Sequence, residues 1–96
     1  MAYKVKYEEA LKAAETRVYV YMNKGDIDYY FSTYNLVVYG KNGRKKSKPT
    51  RGEKEQALIE YLTKEMMDCS AEEIERVQNS YRERFKHDLK IITGGN

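Results

Sequence analysis

Residues 17–31 read Arg17-Val18-Tyr19-Val20-Tyr21-Met22-Asn23-Lys24-Gly25-Asp26-Ile27-Asp28-Tyr29-Tyr30-Phe31, and the fold turns on them. The first six alternate. On an extended chain Val18, Val20 and Met22 face one way, and Arg17, Tyr19 and Tyr21 the other. Asn23-Lys24-Gly25-Asp26 has the composition of a tight turn, with Gly25 supplying positive φ. With Lys24-Gly25 as a two-residue loop, Val20 pairs with Tyr29, Val18 with Phe31, and Tyr19 faces Tyr30. That register predicts a hairpin with aliphatics and Phe31 on one face and Tyr19, Tyr21 and Tyr30 on the other. A slip of one residue would mix the two faces.

Before this hairpin, residues 4–15 read as a first helix, its stripe formed by Tyr7, Leu11 and Ala14 with Ala10 beside them. After it, Ser32–Asn35 reads as a bend and Leu36–Lys41 as a third strand. Asn42-Gly43 is a strong hairpin signal that folds Arg44–Lys48 back as a short basic edge, ended by Pro49. Thr50 and Glu53 then have the spacing of a capping box. The helix they open runs to about Met67, with Ala57, Leu58, Tyr61, Leu62 and Met66 on its apolar stripe. Ser70 and Glu73 repeat the signature, with Cys69 and Ile74 placed as a hydrophobic staple. A third helix carries Ile74, Val77, Tyr81, Phe85 and Leu89 to about Ile92, and Thr93–Asn96 is a stop. The short join at Met67–Cys69 predicts that these two helices form an antiparallel hairpin. The expected fold class is α+β, one domain over 1–96. It has an N-terminal helix, a three- to four-stranded antiparallel sheet and a C-terminal helical hairpin, in the order α-β-β-β-(β)-α-α.

Charge is unevenly spread. Residues 41–54 hold seven Lys/Arg (Lys41, Arg44, Lys45, Lys46, Lys48, Arg51, Lys54) against the single acid Glu53, a balance of +6. Residues 1–40 balance to 0, and residues 55–96 to −3. A cation block next to tyrosine-rich segments is the footprint of a surface that meets a polyanion. Lysines on an edge strand also defend against edge-to-edge aggregation, so the block has a purely structural reading as well. Ten tyrosines and no tryptophan suit half-exposed surfaces and interfaces. The lone Cys69 rules out an intrachain disulfide, which fits a reducing, cytoplasmic compartment. No apolar run is long enough to cross a bilayer and no signal-peptide pattern opens the chain, so no membrane partner is expected.

Catalytic chemistry finds few footholds. Cys69 and His87 are the sole thiol and imidazole. They bracket one predicted helix, and 18 positions at about 1.5 Å each separate them by roughly 27 Å, too far for a nucleophile and its base. Glu83 and His87 share a helix face at i, i+4, but two ligands do not make a structural metal site. The carboxylates Glu72, Glu73 and Glu75 lack an apolar pocket that would split their pKa values. No phosphate-loop or dinucleotide pattern occurs. The expectation is a non-enzyme with no cofactor and no metal.

Three resemblances follow from these residues. Gly40-Lys41-Asn42-Gly43 resembles the GxxG loop of KH domains, which clamps a nucleotide backbone. That family sets the loop between two helices, whereas here a predicted strand and Pro49 flank it. The helix, three strands, helix order of residues 4–67, with Lys45, Lys46 and Lys48 just before the second helix, resembles double-stranded RNA-binding domains. That family keeps its lysines within the helix, past the point where Pro49 and Thr50 intervene here. In general character (small size, dense charge, many tyrosines, no catalytic motif) the chain resembles phage-encoded anti-defence inhibitors of the anti-CRISPR type, through no particular residue.

Two functions are therefore expected. One is an inhibitor that binds a protein or nucleoprotein complex through the basic loop and the tyrosine face, or that mimics nucleic acid with Glu55, Glu60, Glu65, Asp68, Glu72 and Glu75. The other is a DNA- or RNA-binding module, with Lys41, Arg44, Lys45, Lys46, Lys48 and Arg51 on phosphates and Tyr19, Tyr21, Tyr30 or Tyr39 stacking or donating. A homodimer burying the tyrosine face is the alternative to a monomer.

Overall fold

A computed structural model describes residues 5–92, with side chains over 5–87. The chain is helical: α1 (Tyr7–Thr16), a π-helical turn (Arg17–Tyr21), α2 (Lys24–Thr33), α3 (Arg51–Met67) and α4 (Ala71–Ile92). The expected α+β fold is overturned. Among the described residues there is no sheet, and an isolated antiparallel bridge joins Tyr39 to Lys45. The expected helix start at Lys4, the Leu89 side chain and the Thr93–Asn96 stop lie outside what is described.

The reason lies in a spacing that the alternation conceals. Ala10, Ala14, Val18 and Met22 recur every four residues, and all four are buried. In an α-helix each four-residue step overshoots a full turn by about 40°, so the stripe would drift off the core within a few steps. The π-helical turn corrects the drift. The Met22 N–H donates to Arg17 O at 3.0 Å, one residue further back than an α-helical bond, and Met22 stays inside. Val20, which an extended chain would place beside Val18, is half exposed, as is Tyr19. Burial of the four-residue stripe outweighs a β-propensity that amounts to about 1 kcal/mol at most per residue.

Asn23-Lys24-Gly25-Asp26 is a helix start, not a hairpin turn. Asn23 Oδ1 accepts from the Asp26 N–H at 2.8 Å, and Asp26 Oδ2 accepts from the Asn23 N–H at 3.1 Å. This reciprocal box opens α2, whose Ile27 is fully buried. The far end of α2 closes with a left-handed residue, Asn35 at φ 54°. The Leu36 N–H reaches Phe31 O at 3.1 Å and the Asn35 N–H reaches Ser32 O at 3.0 Å, the two bonds of a Schellman stop. Leu36, read as the start of a strand, is the apolar residue that follows such a stop.

Thr50 and Glu53 form the expected capping box of α3, and Ser70 Oγ accepts from the Glu73 N–H at the start of α4. α1 and α2 pack on α3, and Ala10, Ala14, Val18, Met22, Ile27, Leu58, Ile59, Leu62 and Met66 make the core. α4 lies chiefly against the π-helical turn rather than along α3, so the expected antiparallel helical hairpin is also replaced. Its attachment is largely polar and aromatic. Gln78 Nε2 donates to Ala13 O at 3.1 Å, Arg84 Nη2 to Asp26 Oδ2 at 2.5 Å, and Tyr21 packs on Phe85 at 5.7 Å. No described helix is long and apolar enough to cross a membrane.

Candidate functional site

Between α2 and α3 the chain makes an irregular hairpin that carries the basic block. Gly40 and Gly43 close its tip. The Gly43 N–H donates to Gly40 O at 3.0 Å and the Gly40 N–H to Arg44 O at 2.8 Å. Gly43 sits at φ 77°, where a side chain would be strained. This is a type I turn followed by a left-handed glycine, with Asn42 Oδ1 accepting from the Arg44 N–H at 3.0 Å. The GxxG segment is thus a hairpin tip and not a loop between two helices. Below it, the Lys46 N–H donates to Val38 O at 2.7 Å, so Tyr39 and Lys45 form a non-hydrogen-bonded pair. Such a pair places both side chains close together on one face. Tyr39 is 65% exposed there.

The seven cations separate into two groups. Lys46 pairs with Glu53 at 2.5 Å, Lys54 with Asp28 at 2.9 Å, and Arg51 with Glu55 at 3.9 Å. Lys46–Glu53 tethers the hairpin to the first turn of α3, Lys54–Asp28 tethers α2 to it, and Arg51–Glu55 lies within α3 itself. The Lys46 ammonium is the main cause that holds the Glu53 carboxyl below the usual range, and Lys54 does the same for Asp28. Lys41, Arg44, Lys45 and Lys48 are exposed and make no ion pair with a carboxylate among the described residues. Together with Gly40, Asn42, Lys46 and Ser47 they line a shallow, open concavity.

The tyrosines do not share a face. Tyr19 is exposed on the π-helical turn. Tyr21 is committed to α4, its hydroxyl accepting from Arg82 Nε at 3.2 Å. Tyr30 stacks on Tyr34 at 5.7 Å and packs near Tyr81, and Tyr34 in turn stacks on Tyr61 at 4.4 Å. Of the four tyrosines named from the sequence, Tyr39 is the one on the hairpin with the free cations. The others answer to the helices that replaced the sheet.

A second concavity adjoins the first. Phe31, Leu36, Val37, Val38 and Pro49 give it apolar walls, Ser32 and Asn35 add polar groups, and Lys45, Lys46 and Ser47 are shared with the basic concavity. Sequence reasoning assigned Phe31, Leu36, Val37 and Val38 to strands and made Pro49 the end of one. The signal that would have found the groove is Asn35 followed by Leu36, the polar and apolar pair of a helix stop. Among the described residues no group of three or more His, Cys, Asp and Glu is placed to hold a metal. Burial is the main cause that raises the Cys69 thiol, and no basic group is among the causes.

No family model, curated protein or solved structure matches the chain. The α+β description is corrected to an all-helical one, and the likeness to phage-encoded anti-CRISPR inhibitors has no support.

Proposed function

We propose that the protein is a non-catalytic binding protein whose 38–48 hairpin contacts the phosphates of a nucleic acid. One observation carries this reading: Lys41, Arg44, Lys45 and Lys48 stand on a single tip, beside exposed Tyr39, with no carboxylate paired to them among the described residues. The acids nearby are taken by Lys46, Arg51 and Lys54, and of these pairs Lys46–Glu53 holds the hairpin to α3 without spending its outer charge. Cations left unpaired on a rigid tip gain more from phosphates than from water, because each contact releases condensed counterions. The rival reading, an inhibitor gripping a nucleoprotein with the basic loop and a tyrosine-rich sheet, keeps the loop and loses the sheet. Nucleic-acid mimicry is also disfavoured, since Glu72 and Glu75 share their shallow concavity with Arg76.

Four phosphate contacts give an expected log–log salt slope of about −3 for a single strand. Replacing Lys41, Lys45 and Lys48 together by alanine should reduce the slope by about 2 units. A fluorescence-anisotropy titration across salt concentrations measures this, and an unchanged slope would remove the hairpin from the contact.

A further inference from the structure

We infer that the groove beside the basic tip receives an unstacked base, so that the nucleic acid bound is single-stranded. This rests on the phosphate contact proposed above and extends it to the ligand's class. The two concavities share Lys45, Lys46 and Ser47. A backbone held at Lys41, Arg44 and Lys48 therefore runs past the mouth of a slot walled by Phe31, Leu36, Val38 and Pro49. The slot has what a planar base needs: apolar walls for its faces, and Ser32, Asn35 and Ser47 near its edges as donors and acceptors. Phe31 already carries the Lys54 ammonium 5.7 Å from its ring centroid, which holds that wall in place.

Charge decides what fills the groove. An apolar peptide would leave four cations unanswered at its border, whereas a nucleotide brings an anion and a flat apolar surface joined at a fixed short distance. Tyr39, exposed beside Lys45, offers a second stacking surface for a neighbouring base. A duplex can offer phosphates to the tip, but its bases are paired and stacked and cannot enter the slot.

The test compares a thymidylate strand of about 12 nucleotides with an abasic strand of equal length and charge. The thymidylate strand should bind about tenfold more tightly at equal salt, with the same salt slope for both. Val38→Ser, which removes one apolar wall and no charge, should close most of that gap by weakening the thymidylate strand. A far-UV circular dichroism spectrum matching the parent establishes that this variant is folded. Equal affinity of the two strands with a normal slope would overturn base entry and leave the phosphate contact standing. A duplex that binds as tightly as the thymidylate strand at every salt concentration would overturn it too. Failure of both strands, or capture of polyglutamate in their place, would overturn both readings together.

Discussion

Arg17 and Gln78, 61 positions apart in sequence, meet in the interior, where Arg17 Nε donates to Gln78 Oε1 at 2.6 Å. Arg17 is only 7% exposed, and burial is the main cause that lowers its pKa from the ordinary value. No carboxylate pairs with it among the described residues. Its charge is met by Gln78, which in turn holds Ala13 O, and by the Tyr81 ring 5.1 Å away. One amide thus joins α1, the π-helical turn and α4.

Removing that amide should be costly out of proportion to its size. Gln78→Ala leaves a buried guanidinium without its acceptor and removes the amide's bond to the part-buried Ala13 carbonyl, a loss of about 2–4 kcal/mol. Urea unfolding would read it as a lower midpoint with an unchanged slope. Val77→Ala, one residue away but exposed, should shift stability by about 0.5 kcal/mol or less. Equal effects of the two would mean that α4 is not held through Gln78.

The helical start at Asn23 separates the two readings of residues 17–31 directly. Asn23→Ala removes a capping acceptor and should cost about 1 kcal/mol together with helical signal in the far ultraviolet. Gly52→Ala, in the first turn of α3 with open space around the added carbon, should instead stabilise by about 0.5–1 kcal/mol. Thr50 with Glu53 was legible as a cap because Pro49 stood before it and a clear apolar stripe followed. Asn23 with Asp26 has the same spacing, but six alternating residues led into it and Gly25 made it look like a turn. The alternation of valine and tyrosine records what those residues tolerate when half exposed. The spacing of four from Ala10 to Met22 records what the core requires, and it needed a widened turn that no periodicity template contains. The charge imbalance of residues 41–54 was legible without the fold. Which of its cations are free was not, because the Lys46–Glu53 and Lys54–Asp28 pairs depend on where α3 begins relative to the hairpin and α2.

Alkaline conditions should loosen the aromatic cluster. Burial, the main cause, raises the Tyr34 and Tyr81 phenols above their ordinary value of 10.0, which keeps them neutral in the folded chain. A group whose folded pKa is raised contributes stability that is fully present below the unfolded value and is lost as pH rises through the folded one. Stability should therefore be flat in the tyrosine contribution below pH 10.0 and fall above it. Tyr81→Phe should flatten the fall, as followed by thermal unfolding at stepped pH. An unaltered profile would exclude Tyr81 as its source.

The hairpin's own stability should fail in acid, and before the core does. Glu53 is held below its ordinary value of 4.5, first by the hydrogen bond from Lys46 and next by the Thr50 backbone. Its folded pKa is depressed, so its contribution is present above 4.5 and disappears as pH falls through the lower folded value. Protonation releases two things at once: the Lys46 tether of the basic tip and the acceptor that closes the α3 capping box. Hydrogen exchange of the Lys46 amide, which bonds Val38 O, reports the hairpin, while the Leu62 amide in the middle of α3 reports the core. As pH falls below 4.5, protection at Lys46, corrected for the intrinsic pH dependence of exchange, should drop first. Lys46→Met removes the tether but keeps the cap, so its hairpin should be less protected already at neutral pH and respond less to acid. Equal loss at Lys46 and Leu62 across the titration would mean that the hairpin is not a separately held element but unfolds with the helices.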